Sequence, residues 1–337
     1  MTIILILLFV ALLFNFLNGM NDAANAIATV VSTRVLTPKK AVLWSAMFNF
    51  IAAFLFGYAV ATTIGKGIVD PAVVSNNLIF SALLSAIIWT YLCTRYGMPI
   101  SVSHALIGGL IGAALIKTGS ESLIMSGIYK TVIFIFLSPA LGLVLALLLM
   151  IMVNWLFRDW SNKKVDRVFR IGQLVSSALY SLGHGTNDAQ KTMGIMVILM
   201  FTSTVDIPLW LYDKSQGFYI PIWVILTAYG AISLGTMMGG WNVIRTMGMK
   251  LTHLKPMGGF CAETGGSIVL ISTALMGIPV STTHTIAGAI MGVGATRRLS
   301  AVRWGIAGKI LAAWVLTLPV SAALAALIYY LTDLAVK

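Results

Sequence analysis

Charged side chains are scarce in this chain: Asp, Glu, Lys and Arg make up 9% of its 337 residues, and only ten residues are acidic. A water-soluble domain of this length cannot cover its surface with so few charges, so the composition excludes a soluble protein. Hydrophobic residues make up 59% of the chain, and the mean hydropathy is +0.95. Several apolar stretches reach the length of about 20 residues that a helix needs to cross a bilayer. The sequence therefore predicts a multi-pass membrane protein.

Cysteine is scarce as well. Cys93 and Cys261 lie singly in apolar segments, so they predict neither a disulfide framework nor a metal site. No loop gathers nucleophiles or metal ligands, and we therefore expect no enzyme activity and no resident cofactor or metal. The net charge of +12 comes from basic residues in short loops between apolar segments. That pattern excludes nucleic acid as a partner and indicates the lipid bilayer.

Two motifs occur twice, in the same order. Gly-x-Asn-Asp at 19–22 recurs at 185–188, and Pro-x-Ser-x-x-His at 99–104 recurs at 279–284. The duplication predicts two membrane repeats with a polar site between them, as in secondary transporters. The predicted units are repeat 1 at 1–155, a cytoplasmic connector at 156–172 and repeat 2 at 173–337.

The charges of equivalent loops alternate between the halves. Loops rich in Lys and Arg face the cytoplasm, so equivalent loops are expected on opposite sides of the membrane. Five apolar segments per half give the same result. The prediction is an all-α polytopic fold of two inverted repeats with about 10–12 membrane segments, including broken or re-entrant helices, and both termini outside. After the first segment, the loop of the first half carries Arg34, Lys39 and Lys40, whereas that of the second half carries Asp206 and Asp213. Near its end the second half has a basic loop with Arg297, Arg298 and Arg303.

Three acidic residues fall inside apolar segments: Asp22, Asp188 and Glu263. A charge at mid-bilayer costs about 2.5–3.5 kcal/mol, so such residues usually face a cavity and bind something. A structural ion pair is the alternative, but recurrence of the aspartate in a duplicated motif favours function. Gly-x-Asn-Asp is poor helix-forming sequence, so we expect each motif helix to be broken near the midplane. Together with Asn21 and Asn25, Asp22 offers oxygen ligands suited to Na⁺ or a proton.

The second motif favours anion binding. Each copy places hydroxyl groups at the start of an apolar helix, and capping explains one hydroxyl in each. The remaining hydroxyls, with the open N–H groups of two facing helices, predict an oxyanion site. His104 and His284 are expected to support that site. The hydroxyl residues are Ser101, Ser103, Ser281, Thr282 and Thr283.

Over essentially the whole chain, these four motifs resemble those of the inorganic phosphate transporter (PiT) family, in particular its bacterial low-affinity branch. The resemblance implies a homodimeric symporter of the bacterial inner membrane that takes up phosphate with Na⁺ or H⁺ by alternating access. The predicted phosphate-binding residues are Ser101, Ser103, Ser281, Thr282, Thr283, Asn21, Asn187 and Lys191. The predicted coupling-cation residues are Asp22, Asn25, Asp188 and Glu263, with His104, His284, Gln190 and Asn49 in support.

Two departures from the sodium-coupled pattern bear on the coupling ion. Lys191 stands where the second motif would repeat Asn25, and Asn49 stands where the sodium-coupled animal branch has glutamate. Both favour H⁺ over Na⁺, and both resemble members that accept a divalent metal together with phosphate. Lys191 either occupies a cation site with its ammonium group or contacts phosphate directly. A sulfate permease of the same family is the alternative function.

Overall fold

The computed structural model describes residues 1–296 and 298–336. Arg297 and Lys337, on which the charge pattern and the end of repeat 2 partly rested, lie outside the described residues. Within the described ranges the chain forms twelve α-helices and no β-strand, with one isolated bridge between Val69 and Leu123. The helices are α1 (Thr2–Ser32), α2 (Pro38–Ile51), α3 (Ala59–Lys66), α4 (Asn76–Arg95), α5 (Val102–Thr118), α6 (Met125–Leu156), α7 (Asn162–Phe201), α8 (Ile222–Met238), α9 (Trp241–Arg245), α10 (Pro256–Leu275), α11 (Thr282–Ala295) and α12 (Trp304–Val336).

Five of these helices are long and apolar enough to cross a membrane, namely α1, α4, α6, α10 and α12. Two bent pairs raise the number to seven if each pair is one span: α2 with α3, bent by 82°, and α8 with α9, bent by 64°. The 40-residue α7 is not among them, because polar residues in its centre lower its hydropathy. The polytopic all-helical fold with broken helices is thus confirmed.

The two motif helices themselves run without a break. Helix α1 continues for 31 residues through Asn21 and Asp22, and α7 continues through Asn187 and Asp188. The predicted breaks at these motifs are therefore wrong. Asn21 donates to Thr94 of α4, and Asn187 donates both to the carbonyl oxygen of Gly183 in its own helix and to that of Leu270 in α10, so these side chains find partners without breaking the helix. The breaks fall between α2 and α3 and between α8 and α9, where Gly239 adopts a φ of 67°.

Helices of one half pack on helices of the other in a reciprocal way. Helix α5 packs along α12, and its sequence counterpart α11 packs along α6. A Cβ atom at Gly112 of α5 would fall on the carbonyl group of Ala322, and one at Gly288 of α11 would fall on that of Pro139. Only glycine allows these backbones to approach so closely. The N-termini of α5 and α11 are thereby fixed in the interior, next to α1 and α7.

Residues 162–172 of the predicted connector form about three turns at the start of α7, so the central connection leads directly into the second motif helix.

Candidate functional site

Asp22 of α1 and Asp188 of α7 are both buried, with 2% and 0% of their surface exposed. The first turn of α11 lies between them. The Thr282 hydroxyl oxygen lies 3.3 Å from Asp22 Oδ2 and 3.1 Å from Asp188 Oδ2. The Thr283 hydroxyl oxygen lies 3.3 Å from Asp22 Oδ1. One helix start thus brings together the two aspartates that the duplicated motif contributes.

Lys191 joins this cluster from α7, one turn after Asp188. Its Nζ atom lies 2.5 Å from Asp188 Oδ1 and donates to the carbonyl oxygen of Val280 at 2.8 Å. It also donates to the hydroxyl oxygen of Ser103 at the start of α5. A buried ammonium group with three oxygen partners has all its donors satisfied. Lys191 therefore links α7 by hydrogen bonds to the N-terminal ends of α5 and α11.

The contact of Asn25 is the counterpart of that of Lys191 in the other half. Asn25 Nδ2 donates to the Thr283 hydroxyl at 2.9 Å, as Lys191 donates to Ser103. The Oδ1 atom of Asn25 is buried and has no hydrogen-bond partner among the described residues. The half with Asn25 thus offers a free oxygen ligand, whereas the half with Lys191 already contains a cation.

His184 is a site residue that the sequence analysis missed. Its Nε2 atom lies 3.2 Å from Asp188 Oδ2, and its Nδ1 atom lies 3.1 Å from Asn49 Oδ1. Asn49 Nδ2 in turn donates to the Thr236 hydroxyl at 3.0 Å. The signal was present in the sequence, because His184 precedes Asp188 by four residues and so shares its helix face.

The serine residues of the second motif cap the two helices. Ser101 and Ser281 each accept a hydrogen bond at 3.2 Å, from the backbone N–H of His104 and of His284. Behind the caps the two histidine rings meet edge to face with centroids 4.9 Å apart, and His284 stacks on Trp314 at 3.9 Å. Both imidazoles are fully buried against protein, so their position fits support of the helix starts.

Three other residues singled out from the sequence point away from the aspartate cluster. Asn21 Nδ2 donates to the Thr94 hydroxyl at 2.7 Å, and Asn187 Nδ2 donates to the carbonyl oxygen of Leu270 at 2.8 Å. The Gln190 side chain lies at the break before α3, where its Oε1 atom accepts a hydrogen bond from the backbone N–H of Val60 at 3.0 Å. These contacts join α1 to α4, α7 to α10 and α7 to α3.

Glu263 of α10 lies in a separate buried group. Gln173 Nε2 donates to its Oε1 at 3.0 Å, and the Ser176 hydroxyl donates to its Oε2 at 2.5 Å. Ser176 precedes Asp188 by twelve residues on α7, which corresponds to about 18 Å along the helix. The structure therefore does not bring Glu263 into the aspartate cluster.

The charges of the cluster do not balance with a neutral imidazole. With both carboxylates ionised, Asp22 and Asp188 contribute two negative charges and Lys191 one positive charge, which leaves one negative charge. Single ligand atoms of Asp22, His184 and Asp188 lie within 4.8 Å of one another, a spacing that fits a bound cation. The cluster is thus suited to one further cation, beside the hydroxyls at the starts of α5 and α11.

Comparison with known proteins places this arrangement in a family. The model of the phosphate transporter family matches residues 18–325, nearly the whole chain. The chain belongs to this family. Membership implies transport as the activity and not catalysis, and it agrees with the apolar helices in indicating a membrane protein.

Relatives of similar length support this membership. A "Probable low-affinity inorganic phosphate transporter" of Rhizobium meliloti (strain 1021) is 56% identical over 328 residues, which cover 97% of this chain and 96% of the relative. A protein of the same description in Bacillus subtilis (strain 168) is 41% identical over 326 residues, covering 96% and 95%. A solved structure described as "The sodium-dependent phosphate transporter" matches with a TM-score of 0.89 at 27% identity, over 99% of this chain and 100% of that chain.

Proposed function

We propose that the chain is a secondary active symporter that takes up inorganic phosphate together with a cation, with H⁺ favoured over Na⁺, by alternating access. Phosphate is the substrate of the family to which the chain belongs. The observation that carries the proposal is the buried group of Asp22, Asp188 and Lys191 beside the starts of α5 and α11. This group offers hydroxyls for an anion, but with both carboxylates ionised it carries an excess negative charge.

That excess charge explains why transport requires a cation. An anion entering beside an uncompensated buried carboxylate would meet both repulsion and the cost of losing its water. One monovalent cation at Asp22 cancels the excess before phosphate binds. A neutral complex of phosphate with a divalent metal meets the same need, and we include such complexes among the substrates.

Lys191 supports the preference for the proton. In the first half, Asn25 carries no charge, and its buried Oδ1 atom has no hydrogen-bond partner among the described residues. In the second half, the ammonium group of Lys191 fills the equivalent space at Asp188. A resident cation makes a second Na⁺ unnecessary there, and a proton needs no coordination shell. The remaining parts of the proposal are a homodimer in the bacterial inner membrane with both termini outside.

The test is uptake of ³²P-phosphate into proteoliposomes, with imposed H⁺ and Na⁺ gradients measured separately and excess sulfate as a competitor. Uptake that follows the H⁺ gradient and resists sulfate is the expected result. Asp22→Asn, which keeps the size of the side chain and removes its charge, should abolish uptake while the protein remains in the membrane. Normal transport by this variant would refute the assignment of the cation to Asp22. Inhibition by sulfate would favour a sulfate permease.

A further inference from the structure

A cavity of about 1430 Å³ opens beside the C-terminal end of α1. Ala28 lines it six residues after Asp22, which corresponds to about 9 Å along the helix. Thr33 also lines the cavity, and its hydroxyl donates at 2.8 Å to Gln173, the residue that binds Glu263. The Glu263 group is therefore linked by hydrogen bonds through Gln173 to the wall of this cavity, here called the vestibule.

The walls of the vestibule are strongly basic. Among the described residues, one acidic residue, Asp166, lines it, and its carboxylate is paired with Arg170 at 2.7 Å. The basic residues come from both halves and from the connection between them, so six positive charges face one negative charge. The six are Arg34, Lys39, Lys163, Arg170, Arg245 and Lys255.

The orientation of membrane proteins explains why these loops are basic, but not why their charges converge on one cavity. Pairs of adjacent lysines show that a basic segment and the convergence of its charges on the cavity are different properties. Lys39 and Lys163 line the vestibule, whereas Lys40 and Lys164 are not among its lining residues, and Lys164 lies 3.9 Å from the Trp160 ring centroid. The convergence is thus a property of the fold, and a cavity lined by charges of one sign concentrates ions of the other sign.

We propose that the vestibule is a second, low-affinity binding chamber for phosphate on the release side, where accumulated phosphate opposes further uptake. The inference rests on phosphate being the transported anion. The chamber exceeds the roughly 300–1000 Å³ usual for a site that encloses one small molecule, so it holds hydrated anions loosely. Because the lining charges are exposed, the attraction weakens as the salt concentration rises.

The experiment uses the full chain in phosphatidylcholine proteoliposomes loaded with increasing inorganic phosphate at constant ionic strength. Net uptake driven by an H⁺ gradient is measured for three proteins: the unsubstituted chain, Lys39→Gln with Lys163→Gln, and Lys40→Gln with Lys164→Gln. Both double variants lose two charges from the first turns of the same two helices, α2 and α7, so the second is a matched control. The vestibule pair should raise the internal phosphate concentration that halves uptake by about threefold, and the control pair should leave it unchanged.

Uptake without internal phosphate shows that each variant is folded and tests the transport function itself. No uptake by the unsubstituted chain would overturn both proposals. Equal inhibition of all three active proteins, or an equal shift in both pairs, would overturn the chamber alone. A repeat with phosphatidylglycerol in the vesicles identifies the source of the phosphate group. A difference between the pairs that appears only with this anionic lipid would assign the basic cluster to lipid headgroups and overturn the chamber.

Discussion

The Nζ atom of Lys191 lies 2.5 Å from Oδ1 of Asp188, with both side chains almost fully buried. In the other half, Asp22 has Asn25 in the equivalent position, and Asn25 brings no charge. The two copies of the motif therefore differ by one positive charge, that of Lys191. Because of this difference, we expect substitutions of single residues in the cluster to change which cation drives uptake.

Lys191→Asn restores the residue of the first half and should change the response to ions. Breaking a buried ion pair by removing one partner costs about 3–5 kcal/mol, so uptake driven by H⁺ should fall by at least about tenfold. Added Na⁺ should recover part of the activity, because the new amide oxygen and Asp188 then offer a cation site. The measurement is uptake under separate H⁺ and Na⁺ gradients.

Lys191→Met serves as the control for that variant, since it removes the charge without supplying an oxygen ligand. It should lose H⁺-driven uptake and show no recovery with Na⁺. If Lys191→Asn kept full H⁺-driven uptake, the interpretation of Lys191 as a resident cation would be wrong.

His184→Asn places in the second half the residue that Asn18 provides in the first. The shorter side chain does not reach Asp188, so the carboxylate loses its contact with the imidazole at 3.2 Å. Interactions with a charged group contribute about 1.5–3 kcal/mol, and uptake should fall by about tenfold or more. His184→Gln retains an amide donor of sufficient length and should keep more activity. Equal rates for both variants would show that the contact with Asp188 is unimportant.

Glu263→Gln replaces an acceptor that two donors address, Gln173 Nε2 and the Ser176 hydroxyl. An amide group turns one of these contacts into a pair of facing donors, so unfolding stability should fall by about 1–3 kcal/mol. Adding Gln173→Glu exchanges donor and acceptor and should recover stability, measured by thermal unfolding in detergent. If the carboxylate acts in transport at position 263, uptake stays low in the double variant. Full recovery of uptake would limit Glu263 to a structural role.

The duplicated motifs predicted the family and the helical fold, and they singled out the two aspartates that the structure brings together at Thr282. The prediction that failed, helices broken at Asn21–Asp22 and Asn187–Asp188, came from local propensity. Propensity takes no account of partners such as Thr94 and Thr282, which lie far along the chain and bond to Asn21 and to the two aspartates.

The hydrogen-bond partners of some individual residues could not be predicted from the sequence either. Glu263 stands between two glycine-rich turns of α10, and nothing local indicates that its partners are Gln173 and Ser176. His184 was within reach, since its spacing from Asp188 places both residues on one helix face. It was overlooked because its counterpart in the other motif is Asn18, so no duplication drew attention to it.

Gly112→Ala tests the close packing that holds the start of α5 in place. The new methyl group would overlap the backbone carbonyl of Ala322, which cannot move aside without separating α5 from α12. We expect a loss of about 1–3 kcal/mol in stability and a lower melting temperature in detergent. Gly308→Ala is the matched control, because its new Cβ would meet no described atom within 4 Å apart from the nearby backbone of its own helix, and alanine favours a helix. A Gly112→Ala protein that melts at or above the temperature of the Gly308→Ala protein would contradict the role of glycine in this contact.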